Sequence, residues 1–148
     1  MNTHYIEDIS LKGFIVVKHQ LFERERLPTM TLFSRKVSFS RECHDVLDGC
    51  ESIQIMVNYE HRQIIVKPSA SSDEDSLVWR NDKLKNPNVG DISCPLLTLR
   101  LYKEWKLNPR YRYKTQGKLV KSDRKLMILF DFNSADTYEG IKLVERHA

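Results

Sequence analysis

The chain has 148 residues, 41% hydrophobic and 30% charged, a balance that excludes collagen-like and wholly disordered classes and fits one domain or two small halves sharing a core. Three cysteines at irregular spacing point away from a disulfide scaffold and toward a reducing, cytoplasmic setting. The longest apolar run, Leu126 to Phe130, falls far short of the ~20 residues of a membrane helix, and residues 1–10, with Glu7 and Asp8, lack the apolar stretch of a secretory signal.

In chain order, Phe14-Ile-Val-Val17 reads as a strand after a turn at Gly13, within a 1–30 extension that ends in the solvated run Glu23 to Arg26 and the breaker Pro28. Val37 and Phe39 alternate with Lys36 and Ser38, which predicts a short strand. Ser40 is placed to cap a helix that carries Val46 and Leu47 and stops at Gly49. Ile53, Ile55, Val57 and Tyr59, a turn at Glu60-His61-Arg62, then Ile64 and Val66 predict a hairpin ending at Pro68. Residues 69–90 read as a polar linker, acidic at Asp73-Glu-Asp75 and polar again from Asn81 to Asn88, with Trp79 as an anchor to the core.

The order then recurs. Ile92 marks a short strand, Ser93 a cap and Pro95 a first helical position. Leu97, Leu101 and Trp105 share a helix face that Asn108-Pro109 closes. Tyr111, Tyr113 and Leu119 alternate with Arg112, Lys114 and Lys118, and a connection at Ser122-Asp123 leads to Leu126, Ile128, Phe130 and Phe132. Residues 133–148 read as a polar tail with one apolar cluster at Ile141, Leu143 and Val144. The predicted fold is thus α+β and β-rich, with two strand-helix-strand-strand halves, 31–68 and 91–132, packed as one barrel-like domain.

Charge is unevenly placed. The formal net charge is +4, yet residues 100–125 hold ten Lys or Arg against Glu104 and Asp123, a local +8 that leaves −4 elsewhere. Alternation puts Arg112, Lys114 and Lys118 on one strand face and turns Tyr111 and Tyr113 inward, away from any base-stacking role. Such a face can meet a polyanion, or be a solvated surface whose long side chains cover apolar area.

Residues 35–68 resemble the AbrB/MraZ swapped-hairpin motif. Arg35-Lys-Val-Ser-Phe-Ser40 is similar to its basic entry strand, Leu47-Asp-Gly to its helix exit, and Ile53 to Pro68 to its hairpin. Ser40 stands where the motif has Pro, and the Gly-Asp that precedes its hairpin is missing. The resemblance implies interlocked halves and duplex DNA facing Arg35, Lys36 and Arg41, with Arg62 in the hairpin turn as a further candidate. Phe39-Ser-Arg-Glu-Cys43, Val57-Asn-Tyr-Glu-His-Arg62, Val66-Lys-Pro68, Trp79, Trp105, Asn108-Pro-Arg-Tyr-Arg-Tyr113 and Phe130-Asp131 resemble proteins of bacterial integrative elements and prophages, which often carry integrase or recombinase labels. No Arg, His-x-x-Arg, Tyr recombinase constellation is present, so the resemblance implies a mobile-element setting and no particular activity.

The letters offer little for catalysis. Cys43, His44 and Cys50 fit no zinc spacing. There is no G-x-S-x-G elbow, and with five glycines no phosphate-binding loop. Neither a metal, a cofactor nor an enzymatic activity is expected. Two functions stay open: double-stranded DNA binding through Arg35, Lys36, Arg41, Arg62, Arg112, Lys114 and Lys118, or a non-enzymatic protein-interaction module, a partner of a recombinase or other protein or an anti-host factor, either one as a monomer or a homo-oligomer.

Overall fold

The computed structural model describes residues 6–22, 27–80 and 90–146; Glu23 to Arg26 and Asn81 to Asn88 lie outside the described residues. Strands β1 (Thr29–Leu32) and β2 (Lys36–Phe39) form a tight hairpin. Met30 opposes Phe39 and Leu32 opposes Val37, so four apolar side chains face one way and bury. The alternation in the letters predicts β2; β1 is added because the β1–β2 turn folds Thr29–Leu32 back onto it.

Helix α1 (Arg41–Val46) follows directly. Ser40 stands at its N-cap, but the predicted cap bond is not made: the hydroxyl accepts the Thr29 N–H at 2.9 Å instead. The start of β1 takes that acceptor, and the Ser40 N–H returns a bond to the Thr29 carbonyl at 3.0 Å. The helix stops as expected. Asp48 and Gly49 adopt φ of 55° and 65°, and the Gly49 N–H closes on the His44 carbonyl at 2.7 Å.

Strands β3 (Ser52–Asn58) and β4 (Gln63–Ser69) pair around the predicted turn, where Arg62 takes φ 55°. The short strand β5 (Leu77–Val78) adds to β3 and delivers Trp79 to the core, its indole N–H donating to the Cys50 carbonyl at 2.7 Å. Strand β6 (Asp91–Ser93) pairs with β2, and Ser93 belongs to that strand; Cys94 takes the N-cap of helix α2 (Pro95–Glu104), without a side-chain bond. The helix ends at Glu104, ahead of Asn108-Pro109. Lys106 turns out at φ 53°, and the Leu107 N–H bonds back to the Tyr102 carbonyl at 2.8 Å. Leu101, Tyr102 and Trp105 are buried, and the Trp105 indole donates to the Tyr59 carbonyl at 2.9 Å.

Strand β7 (Arg112–Ser122) is the longest, and β8 (Lys125–Asp131) returns along it after a two-residue turn with Asp123 and Arg124 at φ 49° and 65°. Positive φ at both central residues matches the right-handed twist of the strands. The predicted tail is partly sheet. After a 3-10 turn at Phe132–Ser134, β9 (Asp136–Glu139) pairs with β7, and β10 (Lys142–Glu145) pairs with β9 around Gly140. The first residues of β7 offer an edge that β8 does not reach, and residues 136–139 fill it.

All pairings are antiparallel, in the order β5-β3-β4-β8-β7-β1-β2-β6, and the sheet curls into a half-barrel. One core cluster holds its inner face together with the buried residues of both helices: Phe39, Cys43, Trp79, Leu101, Trp105, Ile128 and Phe130. Phe14 to Val17 form no strand; no described segment pairs with them, and their side chains are exposed. No described helix is long and apolar enough to cross a membrane.

Candidate nucleic-acid interface

The alternation of β7 decides where its cations go. Tyr113, Thr115 and Gly117 turn inward, Tyr113 edge-on to Tyr102 with centroids 5.9 Å apart, while Arg112, Lys114 and Lys118 take the outer face. The structure then treats those three differently. The Arg112 guanidinium lies 5.1 Å from the Tyr138 ring centroid and 5.9 Å from that of Phe33, held between aromatic faces supplied by β9 and the β1–β2 turn. Lys114 stands in register with Asp136 and lines a polar groove of about 390 Å³ with Gln116, Ser134, Tyr138 and Arg146. Lys118 lies past the end of β1, whose pairing with β7 stops at Gln116.

Of the entry-strand residues, Lys36 is committed. Its ammonium sits 2.9 Å from an Asp91 carboxylate oxygen and 4.7 Å from the Phe33 centroid. Hydrogen bonds from Lys36 and then Ser38 hold the Asp91 carboxyl below its usual range. Arg35 and Arg41 are exposed at opposite ends of β2, so these three residues form no single patch. Arg62 is elsewhere again, in the β3–β4 turn, its carbonyl accepting the Phe132 N–H at 2.9 Å. Arg110, at the foot of β7, pairs with Glu139 at 3.4 Å.

The most open concentration of cations is the β7–β8 hairpin. β4 pairs with β8 only between Ile128 and Asp131, so residues 120–127 form a two-stranded ribbon beyond the rest of the sheet. Lys118, Lys121, Arg124 and Lys125 are exposed and, among the described residues, make no ion pair. Asp48 and Asp73 share a cleft of about 300 Å³ with Lys125 without reaching pairing distance. Lys118 and Lys121 fall on opposite faces of the ribbon, which is therefore positive on both sides. Only Lys118 of these four is singled out from the letters. The tight turn at Asp123-Arg124, flanked by cations, is the signal for the other three.

The sulfur and imidazole groups near α1 belong to the core. The Cys43 thiol donates to the Thr29 carbonyl at 3.3 Å, and burial pushes it up to about 11. His44 is buried with its ring 4.1 Å from that of Trp79, and neither ring nitrogen has a hydrogen-bond partner. Burial, then the Arg80 charge, lowers its affinity for a proton below the ordinary histidine value. Among the described residues, no three His, Cys, Asp or Glu gather as a metal site. Comparison with protein-family models, with curated proteins and with solved structures finds no match for the chain.

Proposed function

We propose that the protein is a non-enzymatic, cytoplasmic, DNA-binding accessory or regulatory protein of a bacterial mobile element, and that it meets duplex phosphates with the β7–β8 ribbon. The observation that carries this reading is the contrast in pairing. Lys36 and Arg110 are held by carboxylates, while Lys118, Lys121, Arg124 and Lys125 crowd an exposed ribbon without an ion pair among the described residues. A two-stranded ribbon has the width of a major groove, and cations on both faces suit its two phosphate walls. Arg112 and Lys114 extend the same strand toward the β1–β2 turn and Arg35; Lys36, Arg41 and Arg62 play a lesser part. A swapped-hairpin-like pair of halves, 31–68 and 91–132, accords with the successions β2-α1-β3-β4 and β6-α2-β7-β8 and with the antiparallel pairings of β2 with β6 and β4 with β8.

The test is a titration of duplex DNA, single-stranded DNA and RNA at 50 and 200 mM salt, with the full chain and with a variant carrying Lys118→Ser, Lys121→Ser, Arg124→Ser and Lys125→Ser. Four phosphate contacts contribute a salt slope of about −3.6, so between the two salts the unsubstituted chain loses ~100-fold more affinity for duplex than the variant does. An unchanged affinity and slope in the variant removes the ribbon from the function, and absence of binding to any of the three polymers turns the reading toward an acidic protein surface.

A further inference from the structure

β4 and β8 part before either strand ends, and Pro68 is the cause. Their ladder runs from the Gln63–Asp131 pair to the Val66–Ile128 pair and stops, although β4 continues to Ser69 and β8 begins at Lys125. The Phe132 N–H donates to the Arg62 carbonyl, and the Gly117 N–H to the Pro28 carbonyl, away from β8. Backbone groups alternate along a strand, so these bonds put the N–H and C=O of Leu126, Ile128 and Phe130 on the β4 side. The next step of the register sets Leu126 opposite Pro68. Proline has no N–H to donate, so the Leu126 carbonyl gets no ladder bond from that position.

A cleft of about 300 Å³ opens at this point, and every residue that lines it is among the described ones. Leu47, Pro68, Leu126 and Met127 supply apolar surface. The charge comes from Asp48 at the exit of α1, Asp73 in the loop after β4, Lys67 and Lys125. One Asp73 oxygen accepts the Ala70 N–H at 2.9 Å. The side chains of Asp48, Lys67 and Lys125 make no hydrogen bond or ion pair among the described residues. Two carboxylates and two ammonium groups cancel, so net charge draws neither a simple anion nor a simple cation. Opposite charges that line one cleft without pairing suit a small molecule that carries both signs, and the volume is at the small end for ligand pockets.

From this we infer that the cleft binds a free α-amino acid with an apolar side chain. Its ammonium supplies the N–H that Pro68 lacks, donating to the Leu126 carbonyl and to a carboxylate of Asp48 or Asp73. Its carboxylate meets Lys67 or Lys125, and its side chain lies against Leu47 and Met127. The inference does not rest on the nucleic-acid reading, because the cleft is complete in the chain alone.

Calorimetric titration of the full chain with L-leucine, without nucleic acid and to ~10 mM, tests it, a range that reports a Kd of ~1 mM or tighter. Saturable binding is expected, with amide shift changes in NMR spectra centred on Leu126 and Met127. Isocaproate and isopentylamine keep the side chain of leucine and lack its ammonium or its carboxylate, and each should bind at least about tenfold more weakly. Two double variants at exposed or half-exposed positions, Asp48→Asn with Asp73→Asn and Lys67→Gln with Lys125→Gln, should each weaken leucine binding by about tenfold or more with an unchanged circular dichroism spectrum. Pro68→Ala restores an N–H opposite Leu126, so it should extend the ladder, close the cleft and abolish binding. No binding of leucine, equal binding of either analogue, or undiminished binding in any of the three variants overturns the inference and leaves the duplex titration to stand or fall separately.

Discussion

Gly117 sits where β7 leaves its contact with β1, and replacing it with Ala sets two effects of opposite sign against each other. Removing a glycine from a strand narrows the unfolded ensemble and favours folding by about 0.5–1 kcal/mol. The new methyl, however, is placed 2.7 Å from the Phe130 ring edge and closer still to the Ile128 side chain. Ordinary contact begins near 3.4 Å. Both neighbours are fully buried, and Phe130 packs against Phe39 with centroids 6.1 Å apart, so neither has solvent to move into. Overpacking of a dense core costs about 1–3 kcal/mol. The clash exceeds the entropic gain over most of that range, and Gly117→Ala is expected to lose about 1–2 kcal/mol net, a fall of ~2–8 °C in Tm for a chain of this size. Urea unfolding with Gly117→Ala, Ile128→Val and the double variant measures it. Shortening Ile128 gives the methyl room, so the double variant should be more stable than the sum of the single losses predicts. A neutral or stabilising Gly117→Ala, or strict additivity, refutes the packing argument.

Burial keeps His44 neutral in the folded protein, so unfolding lets it take up a proton at its ordinary pKa of ~6.5. Its contribution is complete above that pH and is lost as pH falls through it toward the lower folded value, with a limiting slope of about 1.4 kcal/mol per pH unit. Asp45 opposes the lowering and Arg80 reinforces it. The urea midpoint should therefore drop between pH 7 and 5, and His44→Phe should flatten that drop; an identical pH profile in the variant defeats the assignment. Cys43, raised to about 11 and hydrogen-bonded to Thr29, should be the slowest of the three cysteines to react with a disulfide reagent at neutral pH, becoming equivalent to Cys50 and Cys94 only in denaturant. Mass mapping that finds Cys43 labelled first contradicts that environment.

Much of the β-rich frame was legible in the letters because its elements carry their own period. The β3–β4 hairpin, the Leu97-Leu101-Trp105 face and the β7–β8 hairpin all announce themselves by spacing, and both tryptophans sit in the core as their size demands. What escaped depends on a partner supplied from far away. Residues 136–139 become a strand because β7 presents an edge to them, and four residues of Asp-Thr-Tyr-Glu have no period that says so. Phe14-Ile-Val-Val17 is the converse, a strand-like composition with which no described strand pairs. The cations follow the same rule. Alternation places Arg112, Lys114 and Lys118 on one face, yet the aromatic clamp on Arg112 and the Lys36–Asp91 pair, which spans 55 residues, arise only from cross-strand register. Ser40 likewise has the chemistry of a cap, and the proximity of Thr29 redirects it.

The seam between β4 and β8 has a consequence for biosynthesis. Ile64 and Val66 meet Phe130 and Ile128, partners made more than sixty residues later. A nascent chain that has released β3 and β4 therefore presents a bare hydrophobic flank, unsealed until residues 128–131 have been made. Loop closure over that span slows folding relative to a helical protein of equal length, and the interval before closure is when the growing polypeptide is most prone to aggregate or to recruit a chaperone.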